Sequence, residues 1–124
     1  MSAIKNKIKQ INEYVQQFKW LDFAYDNISE EKISIIGGLD LSWKDTCIDI
    51  VFEQPINMLT ILTEWHRNDD KPFIEIATRA EAIDTIKYIG DENYFVFKIN
   101  ADGYDIAPIW IAAKSISFNT KTIK

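Results

Sequence analysis

Tyr94-Phe95-Val96-Phe97-Lys98-Ile99, followed at once by Asn100-Ala101-Asp102-Gly103, decides the fold class. Aromatic and β-branched side chains fill all of the first stretch except Lys98, and these residue types fit a pleated, half-buried surface. Asp102-Gly103 then supplies the pair that most readily adopts the positive φ of a tight turn. The stretch is therefore a strand running into a reversal, the unit of an antiparallel sheet. Beyond the turn, Tyr104 to Ile106 and Ile109 to Phe118 continue the strand pattern, with Pro108 marking a bulge or an edge.

The same period of two extends upstream. Phe73 to Ala77 reads as a short strand behind the polar turn Arg67-Asn68-Asp69-Asp70-Lys71. Met58 to Trp65 and Cys47 to Glu53 read as two strands separated at Pro55, because proline cannot donate to a ladder. Lys32 to Ile36 is a strand ended by Gly37-Gly38, and Leu39 to Trp43 alternates up to a turn at Lys44-Asp45. Two segments break the pattern. In residues 3–19, Ile4, Ile8, Ile11, Val15 and Phe18 recur at helical spacing behind a capping Ser2, which predicts an amphipathic helix. In residues 78–89, Thr78-Arg79-Ala80-Glu81 fits a capping box before a short helix. A hairpin through Gly90-Asp91-Glu92-Asn93 is the alternative there. The expected fold is α+β: an N-terminal amphipathic helix on a curved, mostly antiparallel sheet of about seven strands, with room for one short inserted helix. The 124 residues, without a linker or repeat, make one domain.

Composition narrows the function. Hydrophobic residues at 47% and charged residues at 27% are globular values. No apolar run approaches the ~18 residues that span a bilayer, and the N-terminus alternates lysine with isoleucine, so a cytoplasmic chain without a membrane partner is expected. The net charge is −5, and between residues 21 and 53 eight acids face only Lys32 and Lys44. That balance repels a phosphate backbone and excludes nucleic acid as the natural partner. It favours a basic macromolecule instead.

Catalytic patterns are thin. The single cysteine, Cys47, and single histidine, His66, lie in different segments and form no zinc site of the usual kind. Asn100-x-Asp102-Gly103-x-Asp105 opens like a calcium loop, but its glycine is misplaced and Ile111 stands where the closing glutamate belongs. No glycine pattern cradles phosphate. Glu64 and His66 share one face of a strand and are the best acid–base pair on offer. The expectation is a binding protein, not an enzyme, with no metal, no cofactor and no catalytic residue. The candidate partner-binding residues are Asp22, Asp26, Asp40, Asp45, Asp69 and Asp70 as contact acids, with Tyr25 and Trp43 as aromatic anchors of the kind that dominate interfaces.

These features together, in a chain also rich in Ile, Lys and Asn, resemble the immunity proteins of bacterial toxin–immunity pairs, including the contact-dependent growth-inhibition type. The likeness is one of class and carries over no individual residue. It implies a monomer, or weak homodimer, that neutralises a basic protein toxin, often a nuclease, by stoichiometric block. Two other readings stand beside it. One is a small-ligand-binding or enzyme domain with a pocket between helix and sheet, lined by Glu64 and His66 or by Tyr94 and Tyr104. The other is an oligomerising module that pairs through the Ile4–Phe18 stripe.

Overall fold

The computed structural model of the chain describes residues 3–18, 21–40, 45–86 and 94–121, the side chains of residues 40, 45 and 86 excepted. The elements are α1 (Ala3–Gln16), β1 (Asp22–Ile28), β2 (Lys32–Asp40), β3 (Asp45–Thr60), β4 (Glu64–His66), β5 (Ile74–Ile76), α2 (Arg79–Ile86), β6 (Phe95–Ile99) and β7 (Ile109–Thr120). The seven strands form one sheet in the order β4-β1-β2-β3-β7-β6-β5. Every pairing is antiparallel, and the sheet curves into a half-barrel. The expected α+β architecture is the one observed.

The inner face of the half-barrel holds the main core. Phe23, Phe52 and Phe97 are fully buried there among Ile35, Ile50, Ile99 and Ile111. Burying each such side chain contributes about 1.5–3 kcal/mol. α1 closes the open side, and its stripe of Ile4, Ile8, Ile11 and Val15 is buried against this core. The stripe therefore packs on the chain's own sheet. Asn12 locks the register of α1 on edge strand β5. Its Nδ2 donates to the Ile74 carbonyl at 2.9 Å, and its Oδ1 accepts from the Ile74 amide at 3.0 Å. One side chain thus supplies both bonds that a neighbouring strand would have given. Just beyond the C-terminal end of the helix, Arg67 Nε donates to the Phe18 carbonyl at 3.3 Å.

The strands depart from expectation in five places. Gly37-Gly38 does not end a strand; β2 runs through both to Asp40. Phe23 on β1 pairs directly with Gly37, and a Cβ at residue 37 would come within 2.5 Å of the Phe23 ring. The glycine is there to admit the ring, which stacks on Phe73 at 4.2 Å. Pro55 likewise stops nothing. β3 is a single 16-residue strand with an irregularity between Pro55 and Asn57 and a positive φ of 48° at Gln54. β2 pairs with β3 only as far as Glu53, so Pro55 lies where one edge of β3 is free of a partner strand and its missing N–H costs no ladder bond. The strand expected to run on from Met58 to Trp65 is divided: Met58 to Thr60 close β3, and Glu64 to His66 form β4 against β1. β1 itself has no counterpart in the strand pattern read from sequence, and Tyr104 to Ile106 is a turn segment, not a strand.

The segment with two readings is helical over Arg79–Ile86. The capping box forms as the sequence suggests: the Thr78 amide donates to Glu81 Oε1 at 3.0 Å, and the Glu81 amide donates to Thr78 Oγ1 at 3.2 Å. α2 lies on the outer face, where Ala82 joins Val96, Trp110 and Ala112 in a second, smaller core. The expected cap Ser2, the turn at Lys44 and the Gly90–Asn93 stretch lie outside the described residues.

Candidate functional site: an acidic sheet end and an adjoining cleft

Strand register decides where the acids go. Asp22 pairs with Gly38 on one side and with His66 on the other, Gly38 pairs with Thr46, and Asp40 pairs with Asp45. The start of β1, the end of β2, the start of β3 and the end of β4 therefore meet at one end of the sheet. Backbone positions 22, 40 and 45 fall within two residues of a single ladder row, although the side chains of Asp40 and Asp45 are outside the described set. His66 Nδ1 sits 2.5 Å from Asp22 Oδ1, with both side chains substantially exposed.

Asp69 and Asp70 follow three and four residues after His66, on the loop that joins β4 to β5, and both are exposed. The loop is shaped by its own side chains. Asn68 Oδ1 accepts from the Asp70 amide at 2.9 Å, and Arg67 Nη2 lies 3.3 Å from Asp69 Oδ1. The Asp102 amide donates to the His66 carbonyl at 2.9 Å, which draws in the loop between β6 and β7. That loop carries two further exposed acids, Asp102 and Asp105. The sequence pattern concealed them, since Asp102 belonged to a hairpin turn and Asp105 to an imagined strand. Gly103, at φ 86°, is the turn residue the Asp-Gly pair called for.

The remaining candidates lie elsewhere. Asp26 is the exposed bulge residue between Tyr25 and Asn27, toward the far end of β1. Tyr25 faces the inner core, with its ring 5.4 Å from that of Trp65. Burial pushes its phenol up to about 12, and its hydroxyl is sealed from solvent. It is part of the core edge and offers no surface anchor. Trp43 is outside the described residues. Glu64 and His66 both point outward beside the buried Trp65, and the imidazole pairs with Asp22, not with Glu64. The space between α1 and the sheet, where a ligand pocket was the alternative expectation, is occupied by the packed side chains of the main core.

A cleft of about 350 Å³ opens instead on the outer face, between the start of α2 and the β6–β7 loop. Register places Glu75, Lys98 and Trp110 side by side across β5, β6 and β7 to form its floor. Lys98 Nζ pairs with Glu81 Oε2 at 2.5 Å and lies 5.9 Å from the centre of the Trp110 ring. The Lys98 ammonium, helped by the Thr78 amide, holds the Glu81 carboxyl down at about 2. Trp110 Nε1 donates to the Ala107 carbonyl at 2.8 Å. Lys71, from the acidic loop, donates from Nζ to the Asp105 carbonyl and bridges the rim. The cleft and the acidic sheet end are thus neighbours that share the loop 67–73. Among the described residues no group of three His, Cys, Asp or Glu side chains is arranged to hold a metal ion, and no helix is long and apolar enough to cross a membrane.

Compared with protein-family models, with curated proteins and with solved structures, the chain has no match.

Proposed function

We propose that the chain is an immunity-type inhibitor that binds a basic protein toxin, a nuclease by preference, through its acidic sheet end and blocks it stoichiometrically. The observation that carries the reading is the meeting of β1, β2, β3 and β4 at one end, which gathers positions 22, 40 and 45 from distant parts of the chain, with Asp69 and Asp70 three and four residues beyond His66 on the adjoining loop. Acidic residues at neighbouring backbone positions raise the local potential, speed the encounter with a cationic surface and compete for a site built to hold phosphates. The β6–β7 loop, tied to His66 by the Asp102 amide, carries two further exposed acids, Asp102 and Asp105.

The test uses the purified chain and the product of the adjacent reading frame. Light scattering is expected to show a 1:1 complex, and calorimetry an affinity that falls steeply as salt rises, because the attraction is screened. Neutralising Asp22, Asp69 and Asp70 together is expected to weaken binding at least tenfold, chiefly through a slower association rate, with Asp26→Asn as the control that leaves binding unchanged. Absence of a complex, or equal effects of the two sets of variants, would count against the reading.

A further inference from the structure

We propose that the outer-face cleft is a receptor site for a guanidinium group. The inference rests on the basic-partner reading only for the source of that group, which is either an arginine side chain of the partner or a small guanidino compound.

The argument starts from Asn100, only 3% exposed, at the end of β6. Its Nδ2 donates to the Pro72 carbonyl at 2.8 Å and to Glu75 Oε2 at 2.9 Å. Both partners are acceptors, so the amide can be oriented in one way only, with its oxygen turned from them. No donor among the described residues reaches that oxygen. Nor is it sealed in, for the buried side-chain atoms without a partner are Tyr25 Oη and Trp65 Nε1. Asn100 lines the cleft, and the accessible edge of its oxygen is assigned to that side. An acceptor on a nearly buried side chain requires a donor. Beside it, Glu75 Oε1 accepts no bond from the described residues, and the Asn100–Glu75 bond fixes the two acceptors as a pair.

Each ammonium of the cleft already has an acceptor. Lys98 is matched by Glu81, and Lys71 spans the rim to the Asp105 carbonyl. The ionisable lining comprises Glu75, Glu81 and Asp105 against Lys71 and Lys98, a net charge of one negative unit. A ligand head with donors only and a positive charge fits this lining, whereas a carboxylate or phosphate would face unpaired acceptors. A guanidinium suits it better than an ammonium. Its planar fork presents parallel N–H groups to two fixed acceptors, and its weakly hydrated faces tolerate the Trp110, Pro72 and Ile106 walls. A volume of about 350 Å³ readily admits one such side chain. Because Lys71 and Pro72 share a loop with Asp69 and Asp70, a basic partner lying on the acidic end has this cleft within reach of an arginine.

The test is an NMR titration of the ¹⁵N-labelled chain with methylguanidinium and with N-acetyl-arginine methylamide, set against methylammonium and N-acetyl-lysine methylamide. Saturable shifts are expected at the Asn100 side-chain amide and the Trp110 indole N–H, with the ammonium compounds at least tenfold weaker. Glu75→Gln, which can still accept from Asn100, is expected to weaken guanidinium binding at least tenfold. Ile106→Arg changes a residue that is 74% exposed, so the fold survives, and its own guanidinium is expected to fill the cleft and abolish binding. Asp22→Asn is expected to leave the titration unchanged while weakening the protein complex, which separates failure of this site from failure of the proposed function. Tighter binding of the arginine derivative assigns the site to a partner's side chain; equal affinities assign it to the guanidinium head of a small compound. Non-saturating shifts, or equal response to the guanidinium and ammonium series, would overturn the proposal.

Discussion

Strand β6 shows two faces of one sheet put to different use. On its inner side Phe97 and Ile99 are fully buried in the main core, while on its outer side Lys98 lies half-buried between a carboxylate and an indole. Inside, shape decides everything, because close-packed side chains leave no room for adjustment. Outside, polar groups are held in fixed pairs around a cleft that retains spare acceptors. The difference separates what the chain needs to fold from what it can offer a ligand, and substitutions on either side can break or sharpen the division.

The largest effect belongs to the inner face. Phe97 is fully buried and meets Phe52 edge-on at 5.3 Å. Phe97→Ala is expected to cost about 3–5 kcal/mol, the transfer term plus the cavity left behind. Urea denaturation followed by circular dichroism would measure it as a lower midpoint with little change in slope. A smaller loss would mean that the half-barrel collapses around the gap, and that its interior is less rigid than its rings imply.

Overpacking the same face comes next. Gly37→Ala would place a methyl carbon 2.5 Å from the Phe23 ring and 2.9 Å from Ile48. The expected cost is about 1–3 kcal/mol. The cause is steric, so Phe23→Leu should recover part of it, and a double-mutant cycle would show the coupling. Additive losses would instead point to the backbone of β2 and not to the ring.

Asn12 tests how α1 is held to the inner face. Its side chain satisfies both backbone groups of Ile74. Asn12→Ala removes both bonds, but β5 is an edge strand where water can replace them in part. The expected loss is therefore about 1 kcal/mol, with faster hydrogen exchange at the Ile74 amide than at its neighbours. Exchange that quickens along the whole of α1 would show that this one side chain governs the docking of the helix.

Much of the inner face was legible in the sequence, because burial leaves a periodic trace. The helical stripe holds in the structure from Ile4 to Val15, although α1 ends at Gln16 before Phe18, and the strand expected over Tyr94–Ile99 forms from Phe95 to Ile99, as does the capping box at Thr78. What failed to show were features set by residues far apart in the chain. Gly37 looks like a terminator until Phe23 is seen across from it, and Pro55 looks like a stop until β2 is seen to end its pairing at Glu53. The acidic site was half legible. The backbone positions of Asp22, Asp40 and Asp45 come to one end, with Asp69 and Asp70 on the loop after His66, yet the charge run also included Asp26, which lies elsewhere, and omitted Asp102, whose amide bonds the His66 carbonyl, and Asp105 on the same loop. The cleft left no trace at all, for Glu75, Lys98, Asn100 and Trp110 each sit in an unremarkable strand context and acquire meaning only from cross-strand register.

The smallest effect is the one that most sharply distinguishes the outer face. Glu81 is held at about 2, against 4.5 for a free side chain, first by the Lys98 ammonium and then by the Thr78 amide. A depressed carboxyl stabilises the folded state above its unfolded pKa and loses that contribution as pH falls through the folded value. Wild-type chain should therefore be more stable than Glu81→Gln at neutral pH by a modest margin, since the pair is partly exposed and screened by solvent. The margin should shrink as pH falls from about 4.5 toward 2, and raising salt should narrow it at any pH above that window. Thermal melts of both proteins across that range would read the margin directly. A margin independent of pH would mean that the carboxylate acts only as a helix-capping acceptor, a role glutamine fills equally well, and that Lys98 is free to turn its charge toward the cleft.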